Sequence, residues 1–186
     1  MRSIGHPAIS GMQSRAAMLC LAAAAFALLP ECASAQTREQ VMEHCKSQSL
    51  HGLVYTNKDY GFRVDLPASW KGYRIEVKEW QGRCEGEDCD SKSSPPPQKG
   101  PIISIVHPLS TKENPRQDIP IMVFTLAQWK MVKDEAISVT AAPIGPGELA
   151  RNAKYVFALP PRFDYADEEG NEEVQQIVTC DFLSAI

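Results

Sequence analysis

Apolar and polar positions along this chain follow two periods, and the switches between them mark out its elements. Phe62-Arg63-Val64-Asp65-Leu66 alternates residue by residue, as a strand with one buried face does. Leu53-Val54-Tyr55 precedes it across the turn Asn57-Lys58-Asp59-Tyr60-Gly61, so the two segments predict a hairpin. Pro67 to Gly72 interrupts, with Trp70 placed to plug the edge of the core. Tyr73, Ile75 and Val77 then alternate with Arg74, Glu76 and Lys78, predicting a third strand with one wet face. Ile102 to Val106 and Ile121 to Phe124 are unbroken apolar runs of strand length, the mark of buried strands. Ile137 to Thr140 predicts another strand, Pro143 to Gly147 a turn, and Tyr155 to Leu159 the last strand.

Helical spacing occurs in three places. Val41, Met42 and Cys45 follow the capping box Thr37-Arg38-Glu39-Gln40, which predicts a helix over 38–48 ended by His51-Gly52. Thr125 is placed to cap a helix carrying Leu126, Trp129 and Val132 on one face. Val174, Ile177 and Val178 form the apolar stripe of a helix near 171–180. Asn171 is its expected N-cap, with Glu172 and Glu173 in the first turn, where they suit the helix dipole. The polar, Pro- and Gly-rich residues 81–100 predict a surface loop, and 109–120 predict another. Together these elements predict an α+β domain: a mostly antiparallel sheet of about six strands flanked by helices.

Residues 1–35 read differently. Arg2 and Arg15 form a positive start without acidic residues, and Ala16 to Leu29 is an uncharged apolar run. Pro30 breaks that run, and Ala33-Ser34-Ala35 offers small residues where a signal peptidase reads, so cleavage is expected after Ala35. The run holds 14 residues, short of the ~20 that span a bilayer. Cys20 and Cys32 lack the small residues that precede a lipid-modified cysteine. The expected mature protein is therefore a single periplasmic or secreted domain, residues 36–186, with no membrane span after cleavage.

Charge narrows the choice of partners. Without Arg2, Arg15 and Glu31 the mature part keeps 17 basic and 22 acidic residues. That balance argues against nucleic acid and anionic lipid, which reward a basic surface. Four cysteines remain, Cys45, Cys84, Cys89 and Cys180, and an even count in an exported chain predicts disulfides. Cys84 and Cys89 enclose only four residues, which leaves Cys45 to staple the first helix to Cys180 in the last.

A family resemblance adds to this reading. Tyr55-x-Asn57-x-x-Tyr60-Gly61-Phe62-x-x-x-Leu66-Pro67-x-x-Trp70 resembles the opening of domains like the photosystem II extrinsic protein PsbP and the Ran-binding protein Mog1. The stretches Gly100–His107, Gln117–Trp129, Ala142–Gly145 and Lys154–Pro160 resemble a bacterial family of exported, uncharacterised proteins. The resemblance covers roughly residues 53–178 and implies an antiparallel sheet sandwiched by helices. It supplies no catalytic residue set. Relatives of this fold serve as assembly factors and partner-binding modules, and fold alone does not fix function.

Candidate chemistry is sparse. There is no Gly-x-Ser-x-Gly elbow, phosphate loop or dinucleotide fingerprint. His44 adjoins Cys45, but neighbours on a helix do not face each other. His107 ends a buried strand beside a polar loop holding Glu113, Arg116 and Asp118, the kind of place where ligand groups converge. His107, Arg116 and Asp118 are thus the binding candidates. Trp80 is a fourth, either packed in the core or exposed beside the long loop as an anchor for a partner. The acidic stretches 85–90 and 164–171 match no calcium-loop spacing, and Cys84-x4-Cys89 lacks a following zinc pair. No catalytic residue, metal or cofactor is expected. The chain reads as a non-enzymatic binding or assembly module for a protein or cell-envelope component. The alternative is an envelope enzyme, or a small-ligand or metal-binding protein, with its site near His107.

Overall fold

The order of strands explains where each apolar run goes. The computed structural model describes Glu43, Cys45 and residues 52–85, 96–142, 144–163 and 168–186. These belong to one compact unit, Gln36–Ile186. Strand β1 (Leu53–Asn57) pairs with β2 (Phe62–Leu66), and β2 pairs with the C-terminal β9 (Leu183–Ala185). A second sheet has the order β6-β3-β4-β5-β8-β7. Its strands are β3 (Arg74–Cys84), β4 (Gln98–Val106), β5 (Ile119–Thr125), β6 (Ile137–Ser138), β7 (Gly147–Arg151) and β8 (Tyr155–Leu159). All strand pairings are antiparallel. Helix α1 (Leu126–Lys133) follows β5, and α2 (Asn171–Thr179) precedes β9. The α+β class with an antiparallel six-stranded sheet and flanking helices is as expected.

The six-stranded sheet buries both faces at its centre. Ile103 opposes Ile121 and Val123 opposes Phe157, on the face that packs against Phe62, Trp70, Val174 and Ile177. The alternate residues Met122, Phe124, Val156 and Ala158 pack with Trp80 and Trp129 on the other face. That is why β5 reads as one apolar run while β2, buried on one face, alternates. Each such large side chain withdrawn from water contributes about 1.5–3 kcal/mol. Thr125 caps α1 as expected. Its hydroxyl accepts from the Gln128 N–H, and Gln128 accepts in return from the Thr125 N–H.

Several expectations need correction. Residues 81–84 and 98–100 are not loop: β3 and β4 continue as a hairpin with Trp80 opposite Gly100 and Gly82 opposite Gln98. Backbone pairing is indifferent to polar side chains, so composition concealed it. Trp80 is not an exposed anchor. It is 3 % exposed, and its indole N–H donates to the Val123 carbonyl at 3.0 Å. Gly100 gives the ring its room, since a Cβ there would lie 2.7 Å from three indole atoms.

Tyr155–Leu159 is not the last strand, because β9 follows, and β7 lies where a turn was expected to end. Strand β6 stops at Ser138. The strand expected at Tyr73–Val77 exists, but both of its faces are wet over 74–79: the layer covering Ile103 and Ile105 stops short of their partners Val77 and Ile75. Helix α2 is capped by Gly170 (φ 84°), not by the Asn171 side chain.

Glu43 and Cys45 are helical, and Cys45 is disulfide-bonded to Cys180 as expected, with Cα atoms 5.5 Å apart. Cys84 is disulfide-bonded as well. Its expected partner Cys89 lies outside the described residues, as do Ala35 with its leader, the capping box at Thr37 and residues 86–90 and 164–167 of the acidic stretches. No helix among the described residues is long and apolar enough to cross a membrane.

Candidate functional site

His107 stands at the end of β4, where Pro108 breaks the ladder and turns the chain onto the surface. It is buried, with its ring edge-on to Trp70 at 5.0 Å between centroids. Trp70 reaches it from the short 3-10 turn Ala68–Trp70 that follows Leu66-Pro67. His107 Nδ1 accepts the Leu109 N–H at 3.2 Å, which places the ring proton on Nε2. Nε2 in turn lies 3.9 Å from Glu173 Oε2, in the first turn of α2. The Ser69 hydroxyl donates to the other oxygen of Glu173 at 2.6 Å. Burial holds the His107 pKa below the usual histidine value, Arg116 pushes it further down, and Glu173 and Glu169 pull the other way. The imidazole is therefore neutral at physiological pH.

Arg116 holds the second half of the cluster. Its guanidinium pairs with Glu169, whose other oxygen accepts from Asn114 Nδ2 at 2.8 Å. The backbone follows the same line: Gln117 N–H donates to the Glu169 carbonyl, and Arg116 bridges to Glu169 in parallel. Glycine suits position 170 on two counts. Its φ of 84° suits glycine, and a Cβ would come within 3.3 Å of the Arg116 guanidinium. Three buried polar atoms around this cluster have no hydrogen-bond partner among the described residues: Trp70 Nε1, Arg116 Nε and Asn171 Oδ1.

The structure thus brings His107 and Arg116 into one network and leaves two candidates out of it. Asp118 contributes only its backbone carbonyl, which accepts from Gln117 Nε2. Trp80 belongs to the core on the other face of the sheet. Ser69, Asn114, Glu169 and Glu173 belong to the cluster and were not singled out for it. Ser69 and Glu173 lie 104 residues apart, so no local spacing relates them.

The arrangement is poorly suited to acid–base chemistry. A nucleophilic serine needs the imidazole to take its proton, with the carboxylate behind the ring. Here the carboxylate stands between serine and histidine, and the remaining imidazole lone pair is engaged by the backbone. What the network does is fasten a loop. Arg74 Nη2 donates to the Ser110 carbonyl, the Arg116 N–H to Ser110 Oγ, and the Asn114 N–H to Thr111 Oγ1. Residues 108–118 are held at several points while Leu109 remains 65 % exposed.

A separate open cleft of about 740 Å³ is lined by Glu85, Lys133, Glu135, Thr140 and Ile144 among others, and none of His107, Arg116 and Asp118 lines it. No group of three or more metal-ligating side chains occurs among the described residues. No family model, curated protein or solved structure matches the chain.

Proposed function

We propose that the protein is an exported, periplasmic binding or assembly module without catalytic activity, and that it meets a protein partner through the loop 108–118. The observation that carries this reading is the fastening of that loop around an exposed Leu109. A surface loop this long is either mobile or specialised, and preorganising one lowers the entropy lost on binding. His107 holds the Leu109 backbone, Arg74 and Arg116 hold Ser110, and Pro108 restricts the entry. An apolar side chain displayed on a rigid support suits a hydrophobic pocket of a partner.

Export is supported by the leader pattern of residues 1–35 and by the Cys45–Cys180 disulfide, a bond that persists outside the cytoplasm. The resemblance to partner-binding and assembly domains of the PsbP and Mog1 kind points the same way. The envelope-enzyme alternative is less well supported, because His107 Nδ1 accepts the Leu109 N–H and the Ser69 proton is given to Glu173 rather than to the imidazole.

The test is a photoreactive amino acid placed at position 109 of the full chain in its host, with irradiation of intact cells. A discrete cross-linked protein is expected, and Arg116→Met should abolish the product while leaving export intact. Export without any cross-link from position 109, or a cross-link that ignores Arg116→Met, would remove this reading.

A further inference from the structure

Among the described residues, strand β3 leaves one side unpaired over most of its length. Arg74–Gly82 pairs with β4, while β6 covers only Arg83 and Cys84 on the opposite side. Among the described residues, nothing pairs with that side of β3 from Arg74 to Gly82. The backbone N–H and C=O groups pointing outward there form a template for another strand. The side chains differ from those of a shielded edge. Val77, in the middle, is 68 % exposed and Ile75 is also exposed, on the face whose β4 partners Ile103 and Ile105 are buried.

From this edge we infer that two copies of the chain associate through β3, antiparallel about a two-fold axis at Val77. The sequence of the edge selects that register. A two-fold axis normal to the sheet keeps each face continuous and sets residues of like parity opposite one another. Centred on Val77, it opposes Glu76 to Lys78 of the second copy and Lys78 to Glu76, with the two Val77 side chains in contact. Both charge pairs are then of opposite sign, and the seven residues Arg74–Trp80 all lie within β3.

Neighbouring registers fail. An axis at Glu76 sets two glutamates face to face and Arg74 against Lys78, and an axis at Lys78 sets two lysines face to face. An axis at Ile75 pairs Arg74 with Glu76 but runs off the strand, which begins at Arg74.

The Val77-centred register also places Ile75 of the second copy opposite Glu79. That position adjoins a shallow depression of about 470 Å³ lined by Tyr60, Val77, Glu79, Lys99 and Pro101 among others. Glu79 is drawn aside there by an ion pair with Lys99 at 3.0 Å. The product is one continuous sheet across the two-fold axis, with apolar contact on one face and crossed ion pairs on the other. Closure about the axis uses up both free edges, so association stops at two copies.

The experiment is sedimentation equilibrium on the protein produced from the full chain, with charge reversals that use the symmetry. A dimer is expected. Glu76→Lys or Lys78→Glu alone should weaken it about tenfold, because the axis makes each substitution act twice. The double reversal Glu76→Lys/Lys78→Glu should restore it. Both side chains are exposed, and unchanged thermal melts of the dilute variants confirm that folding is intact. A monomer at high concentration overturns the proposal and leaves the edge to an extended segment of another protein. A dimer that ignores both single reversals also overturns it, by placing the interface elsewhere. The read-out does not involve Leu109, so this proposal and the partner-binding reading stand or fall separately.

Discussion

His107 and Glu173 meet at the end of β4, with Nε2 3.9 Å from a carboxylate oxygen that the imidazole, neutral at physiological pH, does not need for charge balance. Burial and Arg116 outweigh the two glutamates, so the folded pKa lies below that of the unfolded chain, about 6.5. As the pH falls below about 6.5 the unfolded chain takes up a proton that the native state still refuses, and native stability drops. The loss continues until the folded pKa is reached. Above about pH 6.5 the ring is neutral in both states and its titration adds no pH dependence. Against His107→Gln, which cannot titrate, the native protein should therefore lose its advantage as the pH is lowered from about 7 to 5. Urea midpoints of both proteins across that range measure it. A gap that widens on acidification would mean that Glu173 dominates the site.

Gly100 and Trp80 make a second pair whose relation is steric. A Cβ on residue 100 would sit 2.7 Å from the indole, closer than atoms approach, and the ring is held by its bond to Val123 as well as by packing. Gly100→Ala should cost about 1–3 kcal/mol, the usual range for overpacking. Trp80→Phe in the same protein should return part of it by removing the second ring, although it forfeits the indole hydrogen bond. Denaturant unfolding of the two single variants and the double variant gives the coupling. Strictly additive losses would show that the ring escapes without strain.

These two pairs also show what could be read from the sequence. Strands with a core to face announced themselves: β2 by alternation, β5 by an unbroken apolar run, α1 by its capping box. Strand β7 did not, because its residues are exposed or half-buried at the sheet edge and carry no buried period. Strand β9 has three residues, too few for any pattern. In β3 the alternation of Ile75 and Val77 was real, yet it signalled a face that the fold leaves open.

At the site, the position of His107 at a strand end was legible, and so was its nearness to Arg116. The residues that complete the cluster arrive from Ser69 and from Glu169–Glu173, brought in by the packing of α2 against the sheet. Glu173 had a sufficient local explanation in the helix dipole, which hid its second contact.

Glu135 adopts φ 58°, the left-handed conformation, one residue past the C-cap of α1. Its N–H donates to the Val132 carbonyl and the Ala136 N–H to the Met131 carbonyl, the paired bonds of a Schellman closure. Glycine is the residue that this position favours, since a side chain there costs about 1–2 kcal/mol. Glu135→Gly should accordingly stabilise the protein by about 0.5–1 kcal/mol, after the greater freedom of glycine in the unfolded chain is deducted. Thermal unfolding at fixed pH measures the gain. A loss would mean that the Glu135 side chain, at the rim of the 740 Å³ cleft, makes a contact worth more than the strain.

Cys45 and Cys180 are 135 residues apart in sequence, and their bond ties the N-terminal helical segment to the C-cap of α2. In the chain-entropy account, closing a loop of that length destabilises the unfolded chain by about 5 kcal/mol, against about 2 for the few residues that the expected Cys84–Cys89 bond would enclose. Cys45→Ser should therefore lower the denaturant midpoint by more than Cys84→Ser does. The comparison is made with each protein oxidised and with its remaining disulfide verified by mass. The Cys180 sulfur is buried among core side chains, so the thiol released by Cys45→Ser should react slowly with thiol reagents until the protein unfolds. Equal midpoints for the two variants would show that the long loop is already constrained in the unfolded state, and would remove the entropic reason for the staple.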